Sequence, residues 1–200
     1  MDDKEFLELV EQVYKFHTKR APGIPIGVAM VQLAMEKLGE VKQLGAITET
    51  QVCLSDTIQF LTGCTIGNKY LVMHEKIGRY ALTLYDRADG RGVRVFVDFN
   101  KIDPQKMPEM HKFFLRQRSH EVQHDKDARR ASAKIIVDEF MTAGRKIFRW
   151  QRVRVKNYQK DDVLPAKICR ECGESYLYSE ENSQRCPVCS KELDYYLTEQ

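Results

Sequence analysis

The chain has little of what marks unusual classes of protein. Its 200 residues include only 11 glycines and 6 prolines, which excludes collagen-like and low-complexity chains. The longest segment without a charge, residues 21–35, contains two prolines and two glycines, and it is shorter than the roughly 20 apolar residues of a membrane-spanning helix. Hydrophobic residues make up 42% of the chain and charged residues 30%, which predicts a globular protein with one sizeable core.

Neither a strong net charge nor a targeting segment is visible. The 32 Lys+Arg and 29 Asp+Glu leave a net charge of +3, too small to indicate a nucleic-acid-binding protein by itself. The acidic segment Met1–Leu7 leads directly into a helical pattern, without the basic and apolar regions of a secretory signal. We therefore expect a cytoplasmic protein that has no membrane partner.

The six cysteines are divided between two regions. Cys53 and Cys64 stand alone, whereas the other four form two Cys-x-x-Cys pairs, separated by 13 residues, within the last 32 residues. In a chain without a secretory signal, such clustering favours a metal site over disulfides. Four thiolates fill a tetrahedral shell, so we predict structural zinc, with rubredoxin-type iron or disulfides as the alternatives. This four-cysteine cluster comprises Cys169, Cys172, Cys186 and Cys189.

The cluster predicts a separate C-terminal domain. A segment of about 40 residues cannot bury enough apolar surface to fold unaided, so zinc would provide much of its folding free energy. We predict a core domain over residues 1–160 and a small treble-clef or ribbon-type zinc finger over 161–200, with a linker at Asp161–Lys167. The cysteine spacing does not determine whether this finger binds nucleic acid, binds protein or only completes the fold.

Hydrophobic periodicity predicts an α+β core with a mixed sheet. The first amphipathic helix, Asp3–His17, would begin at a cap formed by Asp2 or Asp3, and the segment Pro108–Ala143 would form one or two helices. An Asp89-Gly90 pair predicts a hairpin turn. The other predicted helices are Ile26–Leu38, which would end at Gly39, and Asp56–Leu61; the predicted strands are Leu44–Thr48, Tyr70–His74, Ala81–Tyr85 and Gly92–Phe99, with a further strand within Arg145–Lys156.

One segment carries a family resemblance. Residues Cys53–Asn68 read CLSDTIQFLTGCTIGN, which resembles the signature of the FmdE family of formylmethanofuran dehydrogenase proteins, Cys-x-x-Asp-x-Ile-Gln followed by Leu-Thr-Gly-Cys-Thr and a glycine. His17 and Pro22-Gly23 lie where that family has a His-Gly-His-x-Cys-Pro-Gly motif. The resemblance covers about residues 10–100. It implies a core of thioredoxin-like appearance, with helices flanking the sheet.

The same resemblance implies a function and a core site. The function would be that of an accessory or metal-handling partner of a molybdenum or tungsten pterin enzyme. The site would be a metal or thiol site that includes Cys53. Lys19 replaces the second histidine of the family motif and Ala21 replaces its cysteine, and neither side chain offers a lone pair to a metal ion at neutral pH. The remaining residues, His17, Cys53 and Asp56, suggest the alternative of a small thiol- or metal-dependent enzyme.

The position of Cys53 predicts a reactive thiol. It precedes Ser55-Asp56 at the start of a predicted helix, where the partial positive charge of the helix end favours the thiolate, and Lys19 would act in the same direction. The alternative is a buried cysteine that packs as a small hydrophobic residue, which is the interpretation we favour for Cys64. His17 lies on the apolar face of the first helix, so it could equally be a hydrogen-bonded core histidine.

Two further motifs suggest functions that we do not favour. The string His120-Glu121-Val122-Gln123-His124 matches the zinc-protease pattern His-Glu-x-x-His, but it continues into a charged, solvated segment without a third ligand. Residues 145–156 contain six cations together with Phe148 and Trp150, a composition that can bind nucleic acid. A solvated strand face, shared by Arg152, Arg154 and Lys156, explains these cations better, so we expect no nucleic-acid partner. A homodimer is the default expectation for oligomeric state.

Overall fold

The structure is a computed structural model that describes residues 3–156, 164–178 and 184–197. The chain divides into two compact units, one within residues 1–159 and the other within residues 160–200. Across these described ranges, no helix combines the length and the apolar character that crossing a bilayer requires.

The first unit combines helices with one sheet, as predicted. Its helices are α1 (Asp3–His17), α2 (Gly23–Leu38), α3 (Leu54–Thr62), α4 (Pro108–Phe114), α5 (His120–His124) and α6 (Lys126–Ala143). Its strands are β1 (Leu44–Thr48), β2 (Leu71–Met73), β3 (Ala81–Asp86), β4 (Arg91–Val97) and β5 (Phe148–Arg154). Short 3-10 turns lie at Glu75–Ile77, Phe99–Lys101 and Gly144–Ile147. The predicted α+β class is confirmed.

The sheet is mixed, with the strand order β2-β1-β3-β4-β5. β1 and β2 are parallel, and the other neighbouring strands are antiparallel. The predicted hairpin connects β3 to β4, and Asp86 stabilises its turn by accepting a hydrogen bond from the Ala88 amide at 2.9 Å. β3 is buried along its whole length, so it forms the centre of the unit.

Helix α2 supplies much of the core. Its buried residues Ile26 and Met30 belong to one cluster with Leu82, Leu84 and other residues of the sheet. The helix begins at Gly23 rather than at the predicted Ile26. Pro25, which the sequence pattern suggests is a helix breaker, lies in the first turn, where the backbone N–H has no intrahelical partner and its absence costs nothing.

Helix α1 packs through the predicted apolar face. Val10 and Val13 are buried and form a second cluster with Ile24 and Val28 of α2. This packing brings His17, at the end of α1, beside α3. The predicted cap residue Asp2 lies outside the described residues.

The segment after β4 contains three helices instead of the predicted one or two. Arg116 has a positive φ of 57° after α4 ends. The Ser119 hydroxyl accepts from the Val122 amide at the start of α5. Asp125 ends α5 and caps α6 by accepting from the amides of Asp127 and Ala128. The caps at Ser119 and Asp125 therefore divide this segment into separate helices. The sequence did not predict the division, because the many charged residues here leave no clear hydrophobic periodicity.

The second unit contains an antiparallel pair of strands, β6 (Ala166–Ile168) and β7 (Ser175–Leu177). The prediction of a linker up to Lys167 was wrong at its end, because Ala166 and Lys167 pair with β7; residues 161–163 lie outside the described part. Among the described residues of this unit, only Cys169 and Cys186 are buried, so packed apolar side chains contribute little to its stability.

Candidate functional site

The four-cysteine cluster converges on one point. Its sulfur atoms lie within 4.8 Å of one another, and it is the one group of three or more potential metal ligands found among the described residues. The backbone N–H of Cys186 donates to Cys169 Sγ at 3.3 Å, and the N–H of Cys189 donates to Cys186 Sγ at 3.5 Å. The turn after Cys172 uses Gly173 with φ 77°, a conformation that glycine adopts without strain.

The electrostatics of this cluster favour a bound cation. Hydrogen bonds from the backbone amides of Cys172 and Cys186 lower the pKa of Cys169 to about 6. The pKa of Cys189 is raised, first by burial and then by hydrogen bonds with neighbouring thiols. Four thiolates this close repel one another unless a metal ion offsets their charge. The donor set fits a tetrahedral ion such as zinc, with no position left for water.

The core site is formed where α1 ends and α3 begins. Cys53 occupies the N-cap position of α3, and its Sγ lies 3.8 Å from His17 Nε2. On the other side of the ring, His17 Nδ1 lies 2.7 Å from Asp56 Oδ2. Gln59 donates to the second oxygen of Asp56 at 3.3 Å. The structure therefore brings together the three residues that the sequence singled out.

This arrangement can move a proton. An Nδ1–H donated to Asp56 leaves the Nε2 lone pair of His17 facing the Cys53 thiol. The carboxylate orients the imidazole and stabilises it when it becomes protonated, and the thiol can then act as a nucleophile. The S–N distance of 3.8 Å is longer than a catalytic hydrogen bond, and such contacts shorten when a substrate binds.

The surroundings of Cys53 oppose the thiolate that its position at the helix start and the nearby Lys19 favour. Burial raises its pKa to about 11, and the Asp56 carboxylate acts in the same direction. A hydrogen bond from the backbone of Gly23 lowers the pKa, but by less than burial raises it. Segments distant in the sequence enclose the sulfur, so the desolvation of the thiolate raises the pKa by more than the partial positive charge of the helix end lowers it.

Gly23 and Tyr80 explain how the sulfur becomes enclosed. A Cβ atom at Gly23 would lie 2.7 Å from Tyr80 Oη and 2.9 Å from Cys53 Cβ, so no larger residue fits. The Tyr80 hydroxyl donates to the Gly23 carbonyl at 2.6 Å. Sequence reasoning identified Gly23 through the family motif but missed Tyr80, for which the sequence contains no local signal.

A cavity of about 1030 Å³ opens beside Cys53. Lys19 and Ala21, the two residues that replace family ligands, both line it, and so does Tyr80. Its walls come from the loop between α1 and α2, from the start of α3 and from the region that runs from α4 to α6. Cys53 therefore faces a space that can hold a small molecule.

The two motifs that we did not favour lie on the surface. α5 consists only of the His-Glu-Val-Gln-His string, and His120, Glu121 and His124 are all exposed. A zinc-protease helix needs a longer, half-buried scaffold. In the basic stretch, Arg154 donates to the Asp89 carbonyl at 2.7 Å, and most side chains of β5 are exposed.

Comparisons with known proteins agree with this architecture. The family described as "FmdE, Molybdenum formylmethanofuran dehydrogenase operon" matches residues 16–156. The crystal structure of a tungsten formylmethanofuran dehydrogenase FmdE-like protein from Syntrophus aciditrophicus superposes with a TM-score of 0.77 at 33% identity, covering 96% of this chain and 95% of that one.

A curated protein of Archaeoglobus fulgidus, named a probable S-adenosyl-L-methionine-binding protein, is 29% identical over 192 residues. The match covers 91% of this chain but only 52% of that relative, so the chain spans about half of the relative's length. The family match, in contrast, extends over most of the first unit and includes every residue of the core site. The chain belongs to the FmdE family.

Proposed function

We propose that this chain is a zinc-binding accessory protein of a molybdenum- or tungsten-dependent pterin enzyme of the formylmethanofuran dehydrogenase type. The observation that carries the proposal is the composition of the core site. The site keeps His17 and Cys53, while Lys19 and Ala21 occupy the positions of two further ligands that the family motif implies. A core with so few donors is poorly suited to redox metal chemistry of its own, which favours a role beside an enzyme that supplies that chemistry.

The zinc belongs to the second unit. Four sulfur ligands leave no open coordination position, so the ion is structural. It compensates for the small number of buried residues there, because the free energy of metal binding adds to that of folding. We also propose that residues 1–160 form the FmdE core and 161–200 a distinct zinc-finger domain.

Metal analysis of the purified chain tests the zinc assignment. We expect about one equivalent of zinc per chain, since one four-thiolate site binds one ion. Less than about half an equivalent, with no iron, would contradict it. Iron in place of zinc would identify a rubredoxin-type site.

Affinity purification from the source organism tests the accessory role. The tagged chain should copurify a pterin enzyme that contains molybdenum or tungsten, identified by mass spectrometry and metal analysis. The matched control is a tagged chain with Cys169→Ser, which separates binding through the core from binding through the zinc finger. Absence of a pterin enzyme from every preparation contradicts the proposal. Recovery of RNA or of an unrelated protein through the finger supports the alternative of a nucleic-acid- or protein-binding zinc-finger protein.

A second candidate function is a small thiol-dependent enzyme that uses Cys53 and His17, with Asp56 as the orienting carboxylate. The Asp56–His17–Cys53 chain of contacts beside a cavity favours it. A small molecule bound next to Cys53 after purification would support this alternative over the accessory role.

The ligand named for the A. fulgidus relative is not a good fit to this cavity. S-adenosylmethionine carries a sulfonium, an ammonium and one carboxylate group, which leaves it with a net positive charge, whereas the described residues that line the cavity include seven cations and no carboxylate. Repulsion between like charges opposes its binding.

We further propose that the chain functions in the cytoplasm as a homodimer. Light scattering coupled to size-exclusion chromatography would measure the oligomeric state directly. A mass of one chain at micromolar concentration contradicts the dimer.

A further inference from the structure

Seven cationic side chains line the cavity beside Cys53, and no aspartate or glutamate lines it in the part of the chain that the structure describes. Lys19 and Arg20 come from the loop between α1 and α2. The other five come from the region between the end of α4 and the first turns of α6, and we call them the cationic wall: Arg116, Arg118, Lys126, Arg129 and Arg130. Such a concentration of one charge around a concave space attracts ligands of opposite charge.

Most of this charge is not neutralised within the protein. Among the described residues, Lys19, Arg116 and Lys126 have no carboxylate within ion-pair distance, whereas Arg20 pairs with Glu11 and Arg130 with Asp127. The Arg129 guanidinium donates to the carbonyls of Val122 and Gln123, which fixes its orientation without cancelling its charge. Arg118 and Arg129 are close enough for their charges to repel each other, and the Glu109 carboxylate near Arg118 offsets this repulsion only in part.

Aromatic rings also line the cavity. Tyr80, Phe113 and Phe114 form what we call the aromatic floor. The rings of Tyr80 and Phe114 meet edge to face at 5.4 Å, and those of Phe113 and Phe114 at 5.1 Å. A floor of packed rings suits a flat or apolar group. The cationic wall and the aromatic floor adjoin each other, since the Arg118 guanidinium lies over the Phe113 ring, 5.5 Å from its centre.

The backbone around the cavity is also unusual. Thr18, Cys53 and Arg116, at φ values of 64°, 28° and 57°, are three of the five non-glycine residues with positive φ in the described chain. Each of the three lines the cavity. Such conformations cost free energy and persist where the surrounding structure holds them, often at ligand sites.

We propose that this cavity binds a small organic anion with at least two negative charges, whose phosphate or carboxylate groups contact the cationic wall and whose apolar part lies against the aromatic floor beside Cys53. The inference deepens the proposed function by assigning a class of ligand to the core site, and it depends on that proposal only in treating this cavity as the functional site. Its guanidinium groups suit bidentate contacts with either kind of anion.

Calorimetric titration of the intact, zinc-loaded chain tests the inference. Inorganic pyrophosphate probes phosphate recognition and citrate probes carboxylate recognition, so the tighter binder identifies the anionic group. Phenyl phosphate compared with inorganic phosphate probes the aromatic floor. We expect saturable binding of pyrophosphate or citrate at one site per chain, and tighter binding of phenyl phosphate than of inorganic phosphate.

Matched variants locate the binding. The double variant Arg116→Gln/Arg129→Gln removes two charges from the wall, and Arg152→Gln/Arg154→Gln removes two from β5. The wall variant should bind about tenfold or more weakly, because each lost charge-assisted contact is worth roughly one power of ten in affinity. The β5 variant should stay within about twofold of the original chain. If the wall variant misfolds, the single variant Lys126→Gln, at the exposed start of α6, should still weaken binding while the β5 variant does not.

Several results would overturn the inference. One is the absence of saturable binding of either anion. Another is equal weakening in both double variants, which would mean that only the overall charge matters. A third is tighter binding of a single-stranded RNA oligomer that depends on the β5 arginines. Zinc content and pterin-enzyme copurification are measured on the same preparations, so that a missing anion site with both intact contradicts this inference alone.

Discussion

Two cysteines of this chain, Cys53 and Cys169, show how opposite environments arise from similar local positions. Both lie at turns, and both sulfurs accept hydrogen bonds from backbone amides. The amides of Cys172 and Cys186 lower the pKa of Cys169 to about 6. Cys53 receives its backbone hydrogen bond from Gly23, and burial together with the Asp56 carboxylate raises its pKa to about 11. The pKa of each thiol therefore depends on the balance between amide hydrogen bonds, which lower it, and burial, which raises it. A position at the start of a helix does not decide that balance.

The same contrast extends to what stabilises the two units. In the first unit, Leu82, Leu84 and Val95 are fully buried within one large apolar cluster. In the second, Cys169 and Cys186 are the only buried residues among those described. The first unit is therefore expected to fold through apolar packing, and the second through its metal ion.

Removing one ligand of the proposed zinc ion should have the largest effect. Cys169→Ser is expected to abolish zinc binding and unfold the second unit while the first stays folded, since structural zinc contributes an apparent binding free energy of about 10–16 kcal/mol in isolated fingers. Metal analysis combined with limited proteolysis checks this, through cleavage sites that appear only beyond residue 160.

Cys53→Ser is the control for that experiment. It should keep the full zinc content, because Cys53 is not part of the four-cysteine cluster. A drop in zinc content in Cys53→Ser would show that the core binds metal too and would break the comparison between the two sites. Unchanged proteolysis of Cys169→Ser would show that the second unit is stable without its metal.

Neutralising Glu49 should produce the next largest effect, and only in the first unit. Glu49 Oε1 lies 2.6 Å from Arg94 Nε, and its Oε2 lies 2.6 Å from Arg79 Nε. Burial opposes the charge on Glu49, but Arg94 and then Arg79 outweigh it and hold the pKa of this carboxyl below its usual range. Glu49→Gln should lower the free energy of unfolding by about 2–3 kcal/mol at pH 7, because a half-buried Arg94 loses its partner.

The pH dependence of that loss follows from the sign of the pKa shift. A lowered pKa in the folded state stabilises the protein above the unfolded-state pKa, about 4.3 for glutamate, and the contribution disappears as the pH falls through the folded-state pKa. Urea denaturation, followed by fluorescence of the one tryptophan, Trp150, checks this at pH 7 and below pH 4. A difference between Glu49→Gln and the original chain that does not shrink with acid would contradict the ion-pair explanation.

Enlarging Gly23 should disturb the core site itself. In Gly23→Ala the added methyl group would lie 2.7 Å from Tyr80 Oη and 3.0 Å from Cys53 Sγ, so the surrounding atoms must move. We expect a loss of about 1–3 kcal/mol in the free energy of unfolding. Gly67→Ala is the matched control, since its nearest neighbour, Thr65 Oγ1, lies at 4.0 Å. Equal stability of the two variants would mean that the site is loosely packed.

Asp56→Asn should give the smallest effect, on the reactivity of Cys53. Without a bound substrate, the His17–Cys53 contact is long at 3.8 Å, so the direct effect of the Asp56 charge on the thiol dominates. That charge raises the Cys53 pKa, so its removal lowers the pKa and increases the thiolate fraction at a given pH, while the orienting role of Asp56 concerns a bound substrate. A shift of half to one pKa unit would accelerate alkylation about 3–10-fold at pH 7. Peptide mass spectrometry of iodoacetamide-treated protein measures the rate at Cys53. Glu8→Gln, which neutralises an exposed carboxylate of α1, should leave the rate unchanged; the same acceleration in both variants would contradict a local effect.

Much of the fold was predictable because its signals are local. The two Cys-x-x-Cys pairs predicted the four-cysteine cluster, and the Asp89-Gly90 pair predicted the hairpin. The signature in residues Cys53–Asn68 predicted the family of the core. The predicted boundaries of helices were wrong at two places. Pro25 belongs inside α2, and the polar region 116–130 splits at caps provided by Ser119 and Asp125. The prediction that this region forms a solvated face is confirmed for most of its cations, which are exposed. What the sequence did not indicate is that they line a cavity together with residues 19–20, about a hundred positions earlier in the chain.

Some features of this protein follow from the sequence alone and others only from the tertiary structure, and the difference has a physical origin. Ligand spacing, turn chemistry and helix periodicity depend on residues a few positions apart, so the amino-acid order alone specifies the four-cysteine cluster and most of the helices and strands. Desolvation and electrostatic potential are sums over all neighbouring atoms, including those of remote segments. Only the burial of Cys53 by remote segments raises the pKa of its thiol, and only the folding of α4 to α6 beside the α1–α2 loop assembled a cationic cavity next to it.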